Sequence, residues 1–174
     1  MAIVQVPAAQ AGGMTLLSTT TLTGATVTLS SIPQTYNKLF LVFRNFLPAN
    51  DGSSIYMRFN GDSAANRHVV DSYYSVFYYD TSFAFGGTSS RISSDNDNVT
   101  GNGLVTCEIF DYTNTATWKM AEYTSLTTSD SNTAQYKHRK GAIFYNQTSA
   151  ISSLTFLATS GNFTSGSVLL YGVK

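Results

Sequence analysis

The stretch "LVTCEIFDYTNTATWKMAEY", residues 104–123, decides the class of fold. Its two arms are rich in apolar and β-branched residues that alternate with polar ones, the pattern of a strand with one buried face. The segment between the arms, centred on Asn114, carries the Asn, Asp and Thr residues that favour turns. The stretch therefore predicts a β-hairpin with a turn of about five residues, in which Phe110 and Trp118 lie on one face.

Eight further runs of the same kind extend along the chain on both sides of this hairpin. They read "MTLLST", "ATVTLSSI", "KLFLVFRNF", "SIYMRFN", "SYYSVFYY", "GAIFYN", "ISSLTFLAT" and "GSVLLYGV", and clusters of Gly, Asn, Asp and Ser separate them. No run has helical periodicity, although residues 60–72 could hold a single helical turn. Strands without covering helices pair antiparallel, so we expect an all-β, antiparallel two-sheet sandwich (a jelly roll) with about eight to ten strands.

Three segments stand out from this pattern of strands. Residues 38–46, "KLFLVFRNF", are almost continuously apolar, which predicts a strand in the middle of a sheet and covered on both sides. Residues 80–103 and 127–140 predict long loop insertions. The first exceeds the usual loop length of a compact domain, so we expect it to be functional or packed on a neighbour. The final run, within "GNFTSGSVLLYGVK" (residues 161–174), predicts a strand that is an integral part of a sheet, because terminal residues fray unless something pairs with them.

The first residues differ in composition from the rest of the chain. Residues 1–13, "MAIVQVPAAQAGG", are uncharged, rich in small residues, and end in two glycines. We expect an extended N-terminal arm over residues 1–13, followed by a single sandwich domain over residues 14–174. The arm's candidate residues for binding a partner are Ile3, Val4, Val6 and Pro7.

The charge content argues against several classes of partner. Only 11% of the 174 residues are charged, the net charge is zero, and Ser and Thr make up about a quarter of the chain. The densest basic run, "KHRK" (residues 137–140), predicts a short basic loop, so we expect no nucleic-acid partner. No basic-then-apolar leader and no run of about 20 apolar residues is present. We therefore expect no membrane partner and synthesis in a cytoplasm.

The sequence offers no clear catalytic constellation. His68 and His138 predict surface histidines, and Cys107, inside an apolar run, predicts a buried structural thiol. Glu108 and Glu122 could face each other across the hairpin as a glycosidase pair would, but solvent-facing partners for Lys or Arg are the favoured interpretation. We expect no enzyme, no cofactor and no metal.

Two further segments carry candidate binding residues. "DNDN", residues 95–98, has alternating oxygen donors that suit calcium, yet a polar turn is the favoured interpretation and the calcium hypothesis stays open. The aromatic run around residues 73–80 predicts first of all a sheet with one aromatic face. A subunit interface or a glycan-facing surface are the functional alternatives, because Tyr serves both. Its candidate residues are Tyr73, Tyr74, Tyr78 and Tyr79.

The ends of the chain resemble a known class of proteins. The run "ISSLTFLA" (151–158) followed by "NFTSGSVLLYGVK" (162–174), and the Thr/Ser-rich strand pair that leads into a long apolar strand over residues 15–44, are similar to the β-sandwich virion proteins of tailed bacteriophages, of the capsid decoration (cement) or tail-fibre type. The resemblance implies a homotrimeric jelly roll on the virion exterior, bound to identical subunits and to the major capsid protein.

Three functions follow as hypotheses. The favoured one is a capsid decoration protein whose arm lies along capsid subunits and which stabilises the assembled shell by mass action. The second is a tail-fibre or receptor-binding module that recognises host cell-surface glycan through Tyr73, Tyr74, Tyr78, Tyr79 and the 80–103 loop. The third is a cellular carbohydrate-binding or jelly-roll enzyme module.

Overall fold

The computed structural model describes residues 13–75, 79–93, 95–99, 103–129 and 135–174. These residues form twelve β-strands and no α-helix, so the helical turn considered for residues 60–72 is absent. The strands are β1 (Met14–Thr21), β2 (Thr26–Leu29), β3 (Lys38–Pro48), β4 (Ile55–Phe59), β5 (Arg67–Ser75), β6 (Tyr79–Gly87), β7 (Ser90–Arg91), β8 (Gly103–Phe110), β9 (Lys119–Ser129), β10 (Gln135–Tyr145), β11 (Leu154–Ala158) and β12 (Phe163–Val173).

The strands make two antiparallel sheets of unequal size. The large sheet has eight strands in the order β1-β12-β3-β8-β9-β10-β5-β6, and the small sheet has four in the order β2-β11-β4-β7. All the recorded strand pairs are antiparallel. The predicted antiparallel two-sheet sandwich is confirmed, while its finer assignment as a jelly roll stays a prediction.

One cluster of buried apolar side chains lies between the sheets. Phe43 of β3 and Phe156 of β11 meet edge to face across it, with ring centroids 4.7 Å apart and both side chains fully buried. Along each inner strand of the large sheet the buried positions alternate with more exposed ones, as in β8. The large sheet therefore has an inner face, turned to the small sheet, and an outer face on the opposite side.

The predicted hairpin is confirmed, with a longer connection than expected. Strands β8 and β9 pair antiparallel, and Phe110 lies opposite Met120. The connection covers residues 111–118. Within it the Tyr112 side chain is buried, and its hydroxyl donates a hydrogen bond to the carbonyl of Pro33, so this loop is anchored to the core. Phe110 and Trp118 are both exposed.

The strand predicted from residues 38–46 is β3, and it lies inside the large sheet between β12 and β8. Its predicted cover on both sides is wrong. The inner residues Leu39, Leu41 and Phe43 are fully buried, whereas Phe40 and Val42 on the outer face are only half-buried and Arg44 is exposed. These outer apolar side chains contact neighbours in their own sheet, as Phe40 does with Tyr171 of β12.

The strand count and both predicted long loops need correction. "SYYSVFYY" straddles the ends of two paired strands, β5 and β6, and the supposed loop from residue 80 onward contains most of β6 and all of β7. The supposed loop at residues 127–140 contains the end of β9 and the first half of β10. The sequence pattern predicted the second half of β10, as "GAIFYN", but missed its first half, because the inward positions Lys137 and Arg139 are charged. The final strand, β12, pairs with both β1 and β3, which confirms its integral position.

Candidate functional site

The outer face of the large sheet carries an unusual number of exposed apolar side chains. Of the fourteen large apolar residues that are most exposed in the described chain, twelve lie on strands of the large sheet, and the other two, Val99 and Trp118, lie in loops. The twelve are Met14, Leu16, Val70, Tyr74, Tyr79, Phe83, Phe85, Leu104, Phe110, Met120, Leu126 and Tyr136. Large apolar side chains exposed in this number on one face of a sheet make that face a candidate surface for binding another molecule.

The most exposed part of this face is an aromatic margin at one edge of the sheet, which we define as Tyr74, Tyr79, Phe83, Phe85 and Tyr136. Phe83 and Phe85 expose 71% and 74% of their surface, and their ring centroids lie 5.4 Å apart. Both residues belong to β6, one of the two edge strands of the large sheet. Edge strands that expose apolar side chains are prone to pair with another chain.

Two of the four predicted tyrosines come together within this margin. Tyr74 and Tyr79 are opposite each other in the β5–β6 ladder, with ring centroids 4.8 Å apart. The His138 ring stacks on Tyr74 at 5.8 Å. Tyr73 lies on β5, where its backbone pairs with Arg139 and Asp80. Tyr78 lies outside the described residues, as do Ile3, Val4, Val6 and Pro7 of the arm.

The two glutamates of the hairpin face each other as the sequence suggested. Glu108 and Glu122 are direct partners in the β8–β9 ladder and line a shallow hollow of about 120 Å³ on the outer face. Glu108 accepts from the Lys38 ammonium at 2.6 Å, while Glu122 is exposed. The expected pairing of a strand glutamate with lysine is therefore confirmed for Glu108.

Both histidines lie on strands and not in loops. His68 of β5 accepts through Nδ1 from the backbone N–H of Gly86 at 3.2 Å, and its ring lies 5.5 Å from that of Phe85. His138 lies on β10. Each side chain is half-buried on the outer face, beside an aromatic residue of a neighbouring strand.

The basic run of residues 137–140 is a strand, which corrects the predicted basic loop. Lys137 and Arg139 point inward and are buried, whereas His138 and Lys140 point outward. The four side chains therefore lie on opposite faces of the sheet and do not form one basic patch.

The "DNDN" segment is held by local contacts. Asp95 accepts from the Lys137 ammonium at 2.9 Å, and Asp97 accepts from the backbone N–H of Val99 at 3.0 Å. Asn96 is buried and donates to Ser93 and to the backbone of Ser53. Among the described residues, no three His, Cys, Asp or Glu side chains converge as they would around a metal ion.

A buried polar network lies on the inner face near the aromatic margin, and the sequence reasoning missed it. The carboxylate of Asp71 accepts from the Arg139 guanidinium at 2.5 Å, from the Tyr123 hydroxyl at 2.8 Å and from the Ser82 hydroxyl at 2.6 Å. Burial alone would raise the pKa of Asp71, but the three donors and the cation outweigh it and hold that pKa below its ordinary value. For Tyr123, burial and the neighbouring carboxylate raise the pKa of the phenol.

Beside this network the two sheets leave a pocket, which we call the margin pocket. It has a volume of about 220 Å³ and lies where the edge strands β6 and β7 of the two sheets approach each other. Its lining residues are Tyr56, Val69, Asp71, Ser82, Ala84, Ser89 and Arg91. The pocket combines a buried acid, a cation and three hydroxyl groups.

No family model matches this chain, and no curated protein matches it significantly. In the described part of the chain, no helix has the length and apolar character needed to cross a membrane.

Proposed function

We propose that the protein is a structural virion protein of a tailed phage, which decorates and stabilises the capsid exterior as a homotrimeric cement protein. The observation that carries the proposal is the exposed apolar outer face of the large sheet. Exposing this face to water is unfavourable, because the free energy falls when another surface covers an exposed apolar side chain. An oligomer of identical chains satisfies that requirement without any second protein.

The size of the outer face supports an interface between subunits. Eight strands spaced by about 4.8 Å, each about 30 Å long, give a face of roughly 1,100 Å². A stable interface of standard size buries about 800 Å² on each partner. The face is therefore large enough for one interface of standard size with a neighbouring subunit.

The composition of the outer face also suits subunit contacts. Aromatic residues and methionine are enriched in the centres of protein interfaces, where they supply much of the binding energy. The outer face has both, in Phe83, Phe85, Tyr136 and Met120. Its charges are few and of both signs, among them Lys38 paired with Glu108, so two copies can approach without strong repulsion.

In this proposal the arm of residues 1–13 lies along capsid subunits, with Ile3, Val4, Val6 and Pro7 as its contacts. The protein binds the assembled shell and not its dissociated subunits, so mass action shifts the equilibrium toward the assembled state. No bond is made or broken. The major capsid protein and identical subunits are the only partners required.

A second candidate function is a tail-fibre or receptor-binding module that recognises host surface glycan. The observation that favours it is the exposed Tyr74–Tyr79 pair, with ring centroids 4.8 Å apart. Adjacent exposed aromatic rings offer flat apolar surfaces beside hydroxyl groups, which suit a sugar ring. A glycan array on which Tyr74→Ala and wild type give the same signals, or no signals, contradicts this second function.

The proposal is tested first by the state of association. Analytical ultracentrifugation of the full chain is expected to show a trimer, and Phe83→Glu combined with Leu126→Glu on the outer face is expected to give monomers. The matched control is Thr26→Glu, at an exposed position of the small sheet. A wild-type monomer at every concentration, or a double variant that still associates, contradicts the proposal.

The second test is co-sedimentation with heads of a phage that encodes the chain. Wild type is expected to bind, and deletion of residues 1–13 is expected to abolish binding while the trimer persists. If the truncated chain binds as well as wild type, the arm does not contact the capsid. If wild type does not bind, the proposed capsid partner is wrong.

A further inference from the structure

The margin pocket contains polar groups that the fold itself leaves unused. Within the described part of the chain, the Tyr56 hydroxyl, the Ser89 hydroxyl and the Arg91 guanidinium make no hydrogen bond or ion pair. Arg91 belongs to β7, a two-residue edge strand whose backbone pairs with Tyr56 and Met57 of β4. These three side chains surround one cavity, so a ligand that enters it meets donors and acceptors that have no competing partner.

The floor of the pocket is rigid and already charged. Asp71 exposes only 6% of its surface, and Arg139, Tyr123 and Ser82 hold its carboxylate from three directions. The Arg139 cation offsets the charge of Asp71, and both side chains are buried. The uncompensated charge of the pocket is therefore that of Arg91. A ligand with one negative group complements it.

The remaining lining groups match hydroxyl groups on a ligand. Hydroxyls both donate and accept, so they can bond to the carboxylate of Asp71 and to the hydroxyls of Ser89 and Tyr56. An apolar ligand would bury these polar groups without partners, which is costly. A small anion alone would leave most of the cavity empty.

The volume selects the size of the ligand. An apolar cavity of about 150 Å³ is already large enough to take up benzene, and the margin pocket has about 220 Å³. It therefore has room for one six-membered ring with substituents. The ring of Tyr56 adds an apolar surface at the wall, against which the carbon face of a sugar can pack.

We propose that the margin pocket binds a single pyranose unit that carries a carboxylate, an acidic monosaccharide such as a uronic acid. The Arg91 guanidinium pairs with the ligand carboxylate, and Asp71, Ser82, Ser89 and Tyr56 bond to its ring hydroxyls. The site lies between β4–β7 and β5–β6 and is separate from the Tyr74–Tyr79 pair on the outer face. It goes beyond the proposed cement function and does not require self-association.

The test is a titration of the full chain with glucuronic acid and galacturonic acid, followed by saturation-transfer NMR. We expect binding of at least one uronic acid with a dissociation constant in the millimolar range. Glucose and acetate, which each carry only half of the recognised groups, are expected to bind about tenfold more weakly or worse. No binding of either uronic acid overturns the proposal, and so does acetate or glucose binding as tightly as the uronic acid.

Two variants test the pocket itself. Arg91→Gln removes the cation and is expected to weaken uronic acid binding by about tenfold or more, and Ala84→Phe fills the mouth and is expected to abolish it. Arg44→Gln, at an exposed cation of the outer face, is the matched control and is expected to bind as wild type does. Circular dichroism checks that each variant is folded.

Unchanged binding in both pocket variants overturns the proposal. Sedimentation of the same samples reports self-association separately, so loss of uronic acid binding and loss of the trimer are distinguishable outcomes.

Discussion

Tyr123 of β9 donates its hydroxyl hydrogen bond to Asp71 of β5 at 2.8 Å, across the intervening strand β10. The contact is possible because the residue between them on β10 is Gly141, which pairs with Tyr123 on one side and with Asp71 on the other. A side chain there would stand where the tyrosine ring crosses. The glycine therefore leaves the space that lets β9 and β5 form a hydrogen bond across β10.

Gly141→Ala should destabilise the protein. A Cβ at this position would lie 2.6 Å from the Asp71 Cβ and 2.8 Å from the Tyr123 hydroxyl oxygen, so the network must shift. We expect a loss of about 1–3 kcal/mol in the free energy of unfolding, the usual cost of overpacking a buried site. Urea denaturation measures it, with Ala142→Ser at the neighbouring outward position as the control. A free energy of unfolding equal to that of wild type would show that the tyrosine does not need the glycine.

Asp71→Asn should change the pH dependence of stability. The folded-state pKa of Asp71 lies below its ordinary value, and the unfolded value is about 3.9. The stabilisation is therefore fully present above about pH 5, and it is lost as the pH falls through the unfolded and then the folded pKa. At neutral pH the variant should lose about 3–5 kcal/mol, because it removes the buried ion pair between Arg139 and the Asp71 carboxylate.

The measurement is the urea midpoint of wild type and Asp71→Asn between neutral pH and about pH 2. The difference between the two proteins should narrow as the pH falls. Asp51→Asn, at an exposed aspartate, should track wild type throughout. A difference that stays constant down to the acid limit contradicts a depressed pKa at Asp71.

Phe156→Ala should be among the most destabilising changes in the core. Phe156 is fully buried and lies edge to face with Phe43, so the substitution removes a direct contact between the two sheets. We expect a loss of about 3–5 kcal/mol, measured by urea denaturation. Val99→Ala, at a loop residue that is 74% exposed, should change stability by less than about 0.5 kcal/mol. Similar effects at both positions would mean that Phe156 does not join the sheets.

The sequence predicts those parts of the fold in which the buried residues are apolar and the exposed residues are polar. Strands β3 and β8 have apolar residues at alternate, inward-facing positions, so their period of two is visible in the sequence. Strand β10 inverts the rule, because Lys137 and Arg139 are buried with acidic partners supplied by other segments. Because these acidic partners are distant in sequence, residues 137–140 are predicted from the sequence as a basic loop.

The candidate sites were predictable to a smaller degree for a related reason. The facing of Glu108 and Glu122 follows from the hairpin alone, since ladder register is a local property. The exposure of Phe83 and Phe85 does not, because apolar residues beside glycines and serines read as a loop. The margin pocket requires residues of four strands, and only the pairing of those strands brings Asp71 and Arg91 to one cavity.

Cys107 should be unreactive in the folded protein. It is buried on the inner face of β8, and burial followed by the nearby charge of Glu108 raises the pKa of its thiol to about 12. The thiolate is the nucleophile, and at about pH 8 only about one thiol in ten thousand is then ionised. Native protein should therefore react with iodoacetamide far more slowly than protein in concentrated urea, as measured by intact mass.

Two cysteine variants are the controls for this measurement. Ser125→Cys, at another buried position of the neighbouring strand β9, should be similarly protected, and Thr26→Cys, at an exposed position, should react quickly. Rapid labelling of Cys107 under native conditions would mean that β8 opens from the sheet on the timescale of the reaction, which its central place between β3 and β9 makes the least expected outcome.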